Sequence, residues 1–180
     1  HNGRRRQRQM CIRDSYWCPD CNSALAEAEV EYKDKTSSSI DFLFEMETSS
    51  VNEIFNTSVD EKIKTSFLSW TTTPWTIPGN VALSVNPNLD YSLLEVKKDN
   101  SMQCLIICKD LIDSVLERCS ISDFTILSTK PGSILESAEA KHPYFDRKST
   151  VRLGDHVTTE MGTGIVHTAP AHGLEDFHAS

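Results

Sequence analysis

The sequence has no apolar run near the roughly 20 residues that a membrane-spanning helix requires. Its longest apolar stretch, Cys104 to Cys108, is only strand-sized. A mean hydropathy of −0.36 agrees, and a transmembrane protein is excluded. No apolar segment follows the basic start, so no secretory signal is expected. There is no internal repeat and no low-complexity tract, which excludes a long disordered tail. Positive charge is also scarce: Arg4, Arg5, Arg6, Arg8 and Arg13 all fall in the first fifteen residues, against Asp14 alone. Without that segment 13 basic residues face 25 acidic ones, a net of −12 within a chain whose total is −8. Such a body has no electrostatic footprint for gripping a nucleic-acid backbone by itself. The arginine run reads either as a nucleic-acid arm or as a tail foreign to the domain.

Disulfide scaffolding is missing too. Of six cysteines only Cys18 and Cys21 form a CxxC pair, while Cys11, Cys104, Cys108 and Cys119 are scattered. Reduced thiols in a cytoplasmic protein are the expectation. What remains is 180 residues, 38% hydrophobic and 24% charged, enough for one core with a short appendage.

Residues 1–15 lack helical or strand periodicity and read as unstructured or foreign. Residues 16–35 read as a CxxC knuckle, with Pro19 and Asp20 favouring a tight turn, followed by a connecting strand from the alternation at Glu27 to Lys33. Residues 36–180 read as the main domain, expected to be truncated at its C-terminal end. Strands are expected at Ile40–Met46, Ile63–Thr71, Val81–Val85, Tyr91–Val96, Met102–Cys108, Phe124–Leu127, Val151–Val157 and Gly164–Thr168. Ser49 to Asp60 reads as a polar surface insertion. Helices are expected at Asp110–Arg118 and from Pro131 through about Ala138. Many short strands with occasional helices predict a β-rich α+β fold, a barrel or sandwich with peripheral helices.

Two segments carry residues that serve neither a core nor a simple turn. In Trp70-Thr71-Thr72-Thr73-Pro74-Trp75-Thr76-Ile77-Pro78-Gly79-Asn80, two prolines fix φ and remove donors, predicting a rigid, non-helical loop that places hydroxyls. The plainer reading is a hydroxyl-rich strand end with prolines as breakers. In the second, Gly162 and Gly164 permit close backbone approach, a short strand through His167 and Thr168 follows, and Pro170 ends it. His172 and Gly173 then lead to Glu175 and Asp176, a carboxylate pair that would also suit the first turn of a helix.

Taken together, the two segments resemble the editing, or connective-peptide, domain of the isoleucyl-tRNA synthetases. The threonine-rich peptide is matched by Thr71-Thr72-Thr73-Pro74-Trp75-Thr76 with Pro78 and Asn80. The second signature is matched by Gly162-Thr163-Gly164, Val166-His167-Thr168-Ala169-Pro170, His172-Gly173 and Asp176. Trp17-Cys18 with Cys21, the stretch Ser23 to Tyr32, and His142-Pro143-Tyr144 also look like that family. The valyl and leucyl branches usually carry an arginine where Thr73 stands, and the valyl branch a lysine at His167. Both departures point to the isoleucyl branch.

The resemblance implies a barrel-like editing domain that hydrolyses the ester of Val-tRNA(Ile) with a positioned water. One methylene is worth only about 1–3 kcal/mol in a hydrophobic pocket, so a second sieve is needed. It implies a catalytic set of Asp176, Thr71, Thr72, Thr73, Thr76 and His167. Asp176 would anchor the substrate ammonium, the threonines would hold the water and terminal adenosine, and His167 would bound the pocket against isoleucine. Asn80, Trp75, Gly162, Gly164, Thr168 and His172 would complete substrate binding. Editing would need no cofactor. Cys18 and Cys21 make half a zinc site at best, to be completed in a full-length parent. ATP and magnesium would belong to a synthetic domain absent here, since no HxGH-type or KMSKS-type motif occurs. The expected partners are the 3′ aminoacyl end of tRNA(Ile) and the remaining synthetase domains, in the cytoplasm and without a membrane. The alternatives are a valyl-type editing domain that removes threonine, and a non-catalytic tRNA- or protein-binding β module.

Overall fold

A computed structural model describes residues 16–32, 36, 38–98, 101–172 and 176–177. Residues 1–15 and the Glu175 position lie outside the described residues. The chain divides after Ser37 into two compact units.

In the first unit, β1 (Tyr16–Cys18) and β2 (Ser23–Leu25) form an antiparallel hairpin with Cys18 at the end of β1 and Cys21 in the turn. The strand expected over Glu27 to Lys33 is not found among its described residues. Glu27–Glu29 is a 3-10 turn instead, and none of its residues is buried. The Glu29 carboxylate reaches back to the Ala26 N–H at 2.8 Å, satisfying a donor that a strand would have given to a neighbour. The apolar side of that alternation, Ala28, Val30 and Tyr32, is not taken into a core, with Tyr32 81% exposed, so the local bond wins.

In the second unit the alternation of Ile40, Phe42 and Phe44 with Asp41, Leu43 and Glu45 yields β3 (Ile40–Met46). It pairs antiparallel with β4 (Lys64–Thr71), Phe44 lying opposite Phe67. Seven more strands complete the sheet: β5 (Ala82–Val85), β6 (Asp90–Lys98), β7 (Ser101–Cys108), β8 (Phe124–Pro131), β9 (Glu139–Lys141), β10 (Lys148–Leu153) and β11 (Ile165–Thr168). Their spatial order is β11-β5-β10-β9-β3-β4-β7-β6-β8. The β4–β7 and β5–β10 pairs are parallel and the rest antiparallel. The sheet curls back so that Ser69 Oγ of β4 donates to the Ile165 carbonyl of β11 at 2.9 Å. The order has two ends, β11 and β8, so the sheet is barrel-like in curvature without a closed ladder.

The apolar run Cys104 to Cys108 in β7 is buried along its whole length, which explains why it does not alternate. Leu93, Leu94, Ile106 and Ile107 meet Phe44, Phe67 and Leu83 in the core. Each such side chain taken from water contributes roughly 1.5–3 kcal/mol.

The polar insertion expected at Ser49 to Asp60 is a core element. Helix α1 (Thr48–Phe55) buries Val51 and Phe55, one turn apart on a single face. Asn56 closes it in the left-handed conformation at φ 54°. Two apolar residues four apart suffice to seat a two-turn helix, and the surrounding serines and glutamate face outward.

Helix α2 (Ile112–Arg118) buries Ile112, Val115 and Leu116 after a 3-10 turn at Lys109–Leu111. The helix expected after Pro131 shrinks to a 3-10 turn, Gly132–Leu135, because Glu139–Lys141 is recruited to the sheet as β9. No helix among the described residues is long and apolar enough to cross a membrane.

Candidate active site

The threonine peptide leaves β4 and turns at once. The Thr71 hydroxyl accepts the Thr73 backbone N–H at 3.0 Å and lies 3.2 Å from the Thr73 hydroxyl. The loop expected to be non-helical is a 3-10 helix over Pro74–Gly79. Pro74 occupies its first position, where a missing donor leaves nothing unsatisfied. Inside it, Thr76 Oγ1 donates to the Thr73 carbonyl at 2.8 Å. Thr71 and Thr76 are buried while Thr72, Thr73 and Trp75 remain exposed.

Opposite stands the glycine segment. Gly162 and Gly164 adopt φ +83° and +73°, a region side-chain-bearing residues rarely occupy. A Cβ on Gly164 would sit 2.3 Å from the Cys108 Cβ, so this backbone approaches β7 as closely as glycine allows. The Cys108 N–H donates to the Thr163 carbonyl at 3.0 Å, and the Tyr91 hydroxyl donates to the Gly164 carbonyl at 2.7 Å. Arg118 grips Asp41 through two bonds of 2.7 and 2.8 Å, and its Nη2 reaches the Gly162 carbonyl at 3.4 Å.

Between the two segments lies a cavity of about 540 Å³. Thr71, Thr72, Thr73, Trp75 and Thr76 form one wall. Gly162, Gly164 and His167 form another, and His172 and Asp176 complete it. Residues 91 and 105 positions apart in sequence, such as Thr76 with His167 and Thr71 with Asp176, therefore share one space.

His167 is the centre of this constellation. Its Nε2 lies 2.9 Å from Thr76 Oγ1. The Thr76 hydroxyl has one proton, already given to the Thr73 carbonyl, so Nε2 must carry the hydrogen and donate. Nδ1 is then a lone-pair acceptor, buried and without a partner among the described residues. Protonation would place a second charge-bearing N–H at that dry position. Burial accordingly pushes the imidazole below its ordinary range; the Asp176 carboxylate opposes that shift, and His172 and His142 add to it. The ring is neutral at neutral pH.

Asp176 is half-buried, and one of its oxygens accepts the Ala169 N–H at 2.9 Å. That bond orients the carboxylate while occupying only one of its two oxygens. His172 packs over Gly79, where a Cβ would lie 3.2 Å from Nε2.

Two residues expected to bind substrate lie behind the wall. Asn80 is fully buried, its Nδ2 donating to the Ala82 carbonyl at 2.7 Å and its Oδ1 accepting from Ser149 at 2.6 Å. The Thr168 hydroxyl is paired with Ser84 at 2.8 Å. Both are spent on holding the loop and β11. Conversely, His156, Thr158, Glu160 and Met161 line the cavity from the β10–β11 connection. The strand expected to run to Val157 stops at Leu153, and the loop begins at Gly154. A polar loop without periodicity carries no signal of where it will lie.

Cys18 ends β1 and Cys21 lies in the turn that follows, the Cys21 N–H 3.4 Å from Cys18 Sγ. That backbone donor is the main reason the Cys18 thiol lies below its ordinary range. Two thiols supply half of a tetrahedral zinc set. No cluster of three or more candidate ligands occurs among the described residues, so those residues do not by themselves make up a tetrahedral zinc set. Cys104, Cys108 and Cys119 are likewise free thiols, and burial pushes Cys104 up to about 11.

No protein-family profile matches the chain. Whole proteins do. It is 50% identical over 167 residues to an isoleucine–tRNA ligase of Shewanella sp., covering 92% of this chain and 18% of that protein. An isoleucine–tRNA ligase of Pseudoalteromonas atlantica is 46% identical over 167 residues, covering 91% and 18%. The matched stretch is one segment of each of these ligases. It spans less than a fifth of the length of these relatives.

Among solved structures, the segment matches a leucyl-tRNA synthetase CP1 domain with a TM-score of 0.65 at 18% identity, over 78% of this chain and 58% of that one. The P. knowlesi cytosolic leucyl-tRNA synthetase editing domain matches with a TM-score of 0.65 at 16% identity, over 76% and 59%. At such identities the likeness is one of fold. The chain therefore shares the fold of these editing domains, β-rich and of the α+β class.

Proposed function

We propose that this chain carries the editing site of an isoleucine–tRNA ligase and hydrolyses the ester of Val-tRNA(Ile). The observation that carries the reading is the meeting of the Thr71, Thr73 and Thr76 hydroxyls with His167 and Asp176 around one cavity of about 540 Å³. Asp176 supplies a carboxylate, already oriented by the Ala169 N–H, for the α-ammonium of the aminoacyl end. The hydroxyls of Thr72 and Thr73, exposed at the mouth, offer donors and acceptors to the terminal ribose and to a water. That water adds to the ester carbonyl, the carbon–oxygen bond to the ribose breaks, and the ribose oxygen leaves with a proton. No side chain becomes covalently bound; rate comes from orientation.

The neutral His167, fixed by Thr76, forms a rigid boundary. A rigid wall suits exclusion by size, where one methylene is worth about 1–3 kcal/mol. Exposed Trp75 and Met161 at the rim, each 71% accessible, offer apolar surface for the terminal adenine. Net charge of −12 beyond the first fifteen residues repels a polyanion. The phosphate contacts must accordingly come from the rest of the ligase and its basic surfaces. tRNA(Ile), the other synthetase domains and a cytoplasmic setting follow from this reading. Zinc, if bound, requires ligands beyond Cys18 and Cys21.

The test is deacylation of Val-tRNA(Ile), Thr-tRNA(Val) and Ile-tRNA(Ile), by the chain and by a ligase carrying it. Preferential hydrolysis of Val-tRNA(Ile) is expected. Preference for Thr-tRNA(Val) would make the site valyl-type, and tRNA binding without hydrolysis in either form would make it a non-catalytic module.

A further inference from the structure

We infer that His142 is a positioning residue that holds the Thr76 hydroxyl on His167 by gripping the Ile77 carbonyl from outside the cavity. This rests on the editing reading for its catalytic consequence, though not for its geometry. His142 lies in the turn between β9 and β10, is 5% exposed, and does not line the cavity. Its Nδ1 accepts the backbone N–H of Tyr144 at 3.1 Å and of Phe145 at 3.2 Å. A nitrogen that accepts two hydrogen bonds carries no proton, so the hydrogen sits on Nε2. Nε2 lies 3.0 Å from the Ile77 carbonyl and therefore donates to it.

The neighbouring carbonyl is gripped as well. Arg147 Nη2 donates to the Pro78 carbonyl at 2.6 Å, while its guanidinium lies 5.4 Å from the centre of the Phe145 ring. One turn, closed by the His142 N–H on the Arg147 carbonyl at 2.9 Å, thus holds two successive carbonyls of the 3-10 helix. The imidazole is itself fixed, edge-on to Phe44 at 6.5 Å and tilted on Phe145 at 5.1 Å. Burial, partly offset by the Ile77 carbonyl and reinforced by the Arg147 charge, keeps the ring neutral and its Nδ1 lone pair available. Ile77 directly follows Thr76, whose hydroxyl meets His167. Packing alone would be met by any apolar side chain against Phe44. A histidine with both nitrogens committed to backbone partners sets the orientation of the loop.

Two substitutions separate the two nitrogens. In His142→Asn the amide oxygen replaces Nδ1 and keeps the turn, but no side chain reaches the Ile77 carbonyl, which keeps only the Asn80 backbone N–H at 2.9 Å from within its own loop. In His142→Gln the amide nitrogen replaces Nε2 and keeps the grip on Ile77, at the expense of the turn. Nitrogen chemical shifts of the His167 ring, recorded on the full 180-residue chain, report the Thr76 bond whether or not the site turns over. We expect His142→Asn to shift those signals and to lower kcat for Val-tRNA(Ile) about tenfold with little change in KM, since misplacement acts on the chemical step. His142→Gln should restore both readouts to within about threefold of the parent. Unchanged His167 signals in His142→Asn, or equal disturbance by both variants, would overturn the inference. If the parent shows no hydrolysis while the His167 signals respond as expected, the editing reading fails and the positioning stands.

Discussion

Removing a single oxygen from Tyr91 should unfasten the glycine wall of the cavity from the core. The Tyr91 side chain is fully buried. Its hydroxyl donates to the Gly164 carbonyl at 2.7 Å and accepts the Asn86 N–H at 2.9 Å. Burial raises its pKa, so the phenol keeps its proton and the donor role is secure. Tyr91→Phe keeps the ring and its packing but leaves two backbone groups without a partner. An orphaned buried group costs about 1–3 kcal/mol. The Gly164 carbonyl bears the full penalty; the Asn86 N–H, half-buried, bears a part. Together these predict a loss of about 2–4 kcal/mol. For a unit near 150 residues each kcal/mol moves Tm by roughly 2–4 °C, so the midpoint should fall by about 5–15 °C. Urea unfolding of the chain measures this directly, with the m-value unchanged. Tyr16→Phe is the control: its hydroxyl meets Tyr32 at 2.8 Å on an exposed surface, and its removal should cost under about 0.5 kcal/mol. A Tyr91→Phe loss below about 1 kcal/mol would refute the reasoning, because it would mean that neither backbone group depends on the phenol.

Asp176→Asn retains an acceptor for the Ala169 N–H and removes the charge, so stability should hold while Val-tRNA(Ile) deacylation falls roughly 10- to 100-fold; an unchanged rate would remove Asp176 from ammonium binding. His167→Ala should open the cavity to isoleucine and raise hydrolysis of Ile-tRNA(Ile) by roughly 10- to 200-fold, the range one methylene allows; continued sparing of Ile-tRNA(Ile) beside normal cleavage of Val-tRNA(Ile) would place selectivity elsewhere. Stability should decline as pH falls below about 6.5, because burial lowers the folded-state pKa of both His142 and His167. In that window the unfolded chain binds protons that the folded chain refuses, so stability rises with pH and each unit of depression is worth about 1.4 kcal/mol once pH lies below the folded value. Unfolding midpoints at pH 5 and pH 7 for the parent and the His142→Gln variant check the sign, and a parent more stable at pH 5 would contradict it.

Much of the fold is legible in the sequence. Ile40 to Met46 alternates because β3 has one face on the core, and Cys104 to Cys108 does not because β7 is covered on both sides. The turn at Asn86-Pro87-Asn88 is local chemistry, with the Asn86 side chain accepting the Asn88 N–H at 3.0 Å. The threonine and glycine segments were legible as motifs, since their residue types are unusual wherever they fall. The failures share one cause. Glu27 to Tyr32 alternates in polarity, yet with no apolar surface to seat it a carboxylate bond to Ala26 prevailed. Thr48 to Phe55 is mostly polar, yet Val51 and Phe55 four positions apart were enough to dock it.

The amino-acid sequence alone thus determined most of the local choices: the strands with apolar alternation or an apolar run, where prolines and glycines bend the backbone, and which side chains bear hydroxyls, imidazoles and carboxylates. Only the tertiary structure decided who meets whom. The curl of the sheet brings β11 against β4, and with it His167 to Thr76 across 91 residues. It turned Asn80 and Thr168 inward to Ala82 and Ser84 and swung His156 and Glu160 to the cavity. Hydrogen bonds within a turn depend on neighbours in sequence, whereas a cavity wall depends on how a twisted sheet folds back over its own core, a sum of many weak contacts that no short motif encodes.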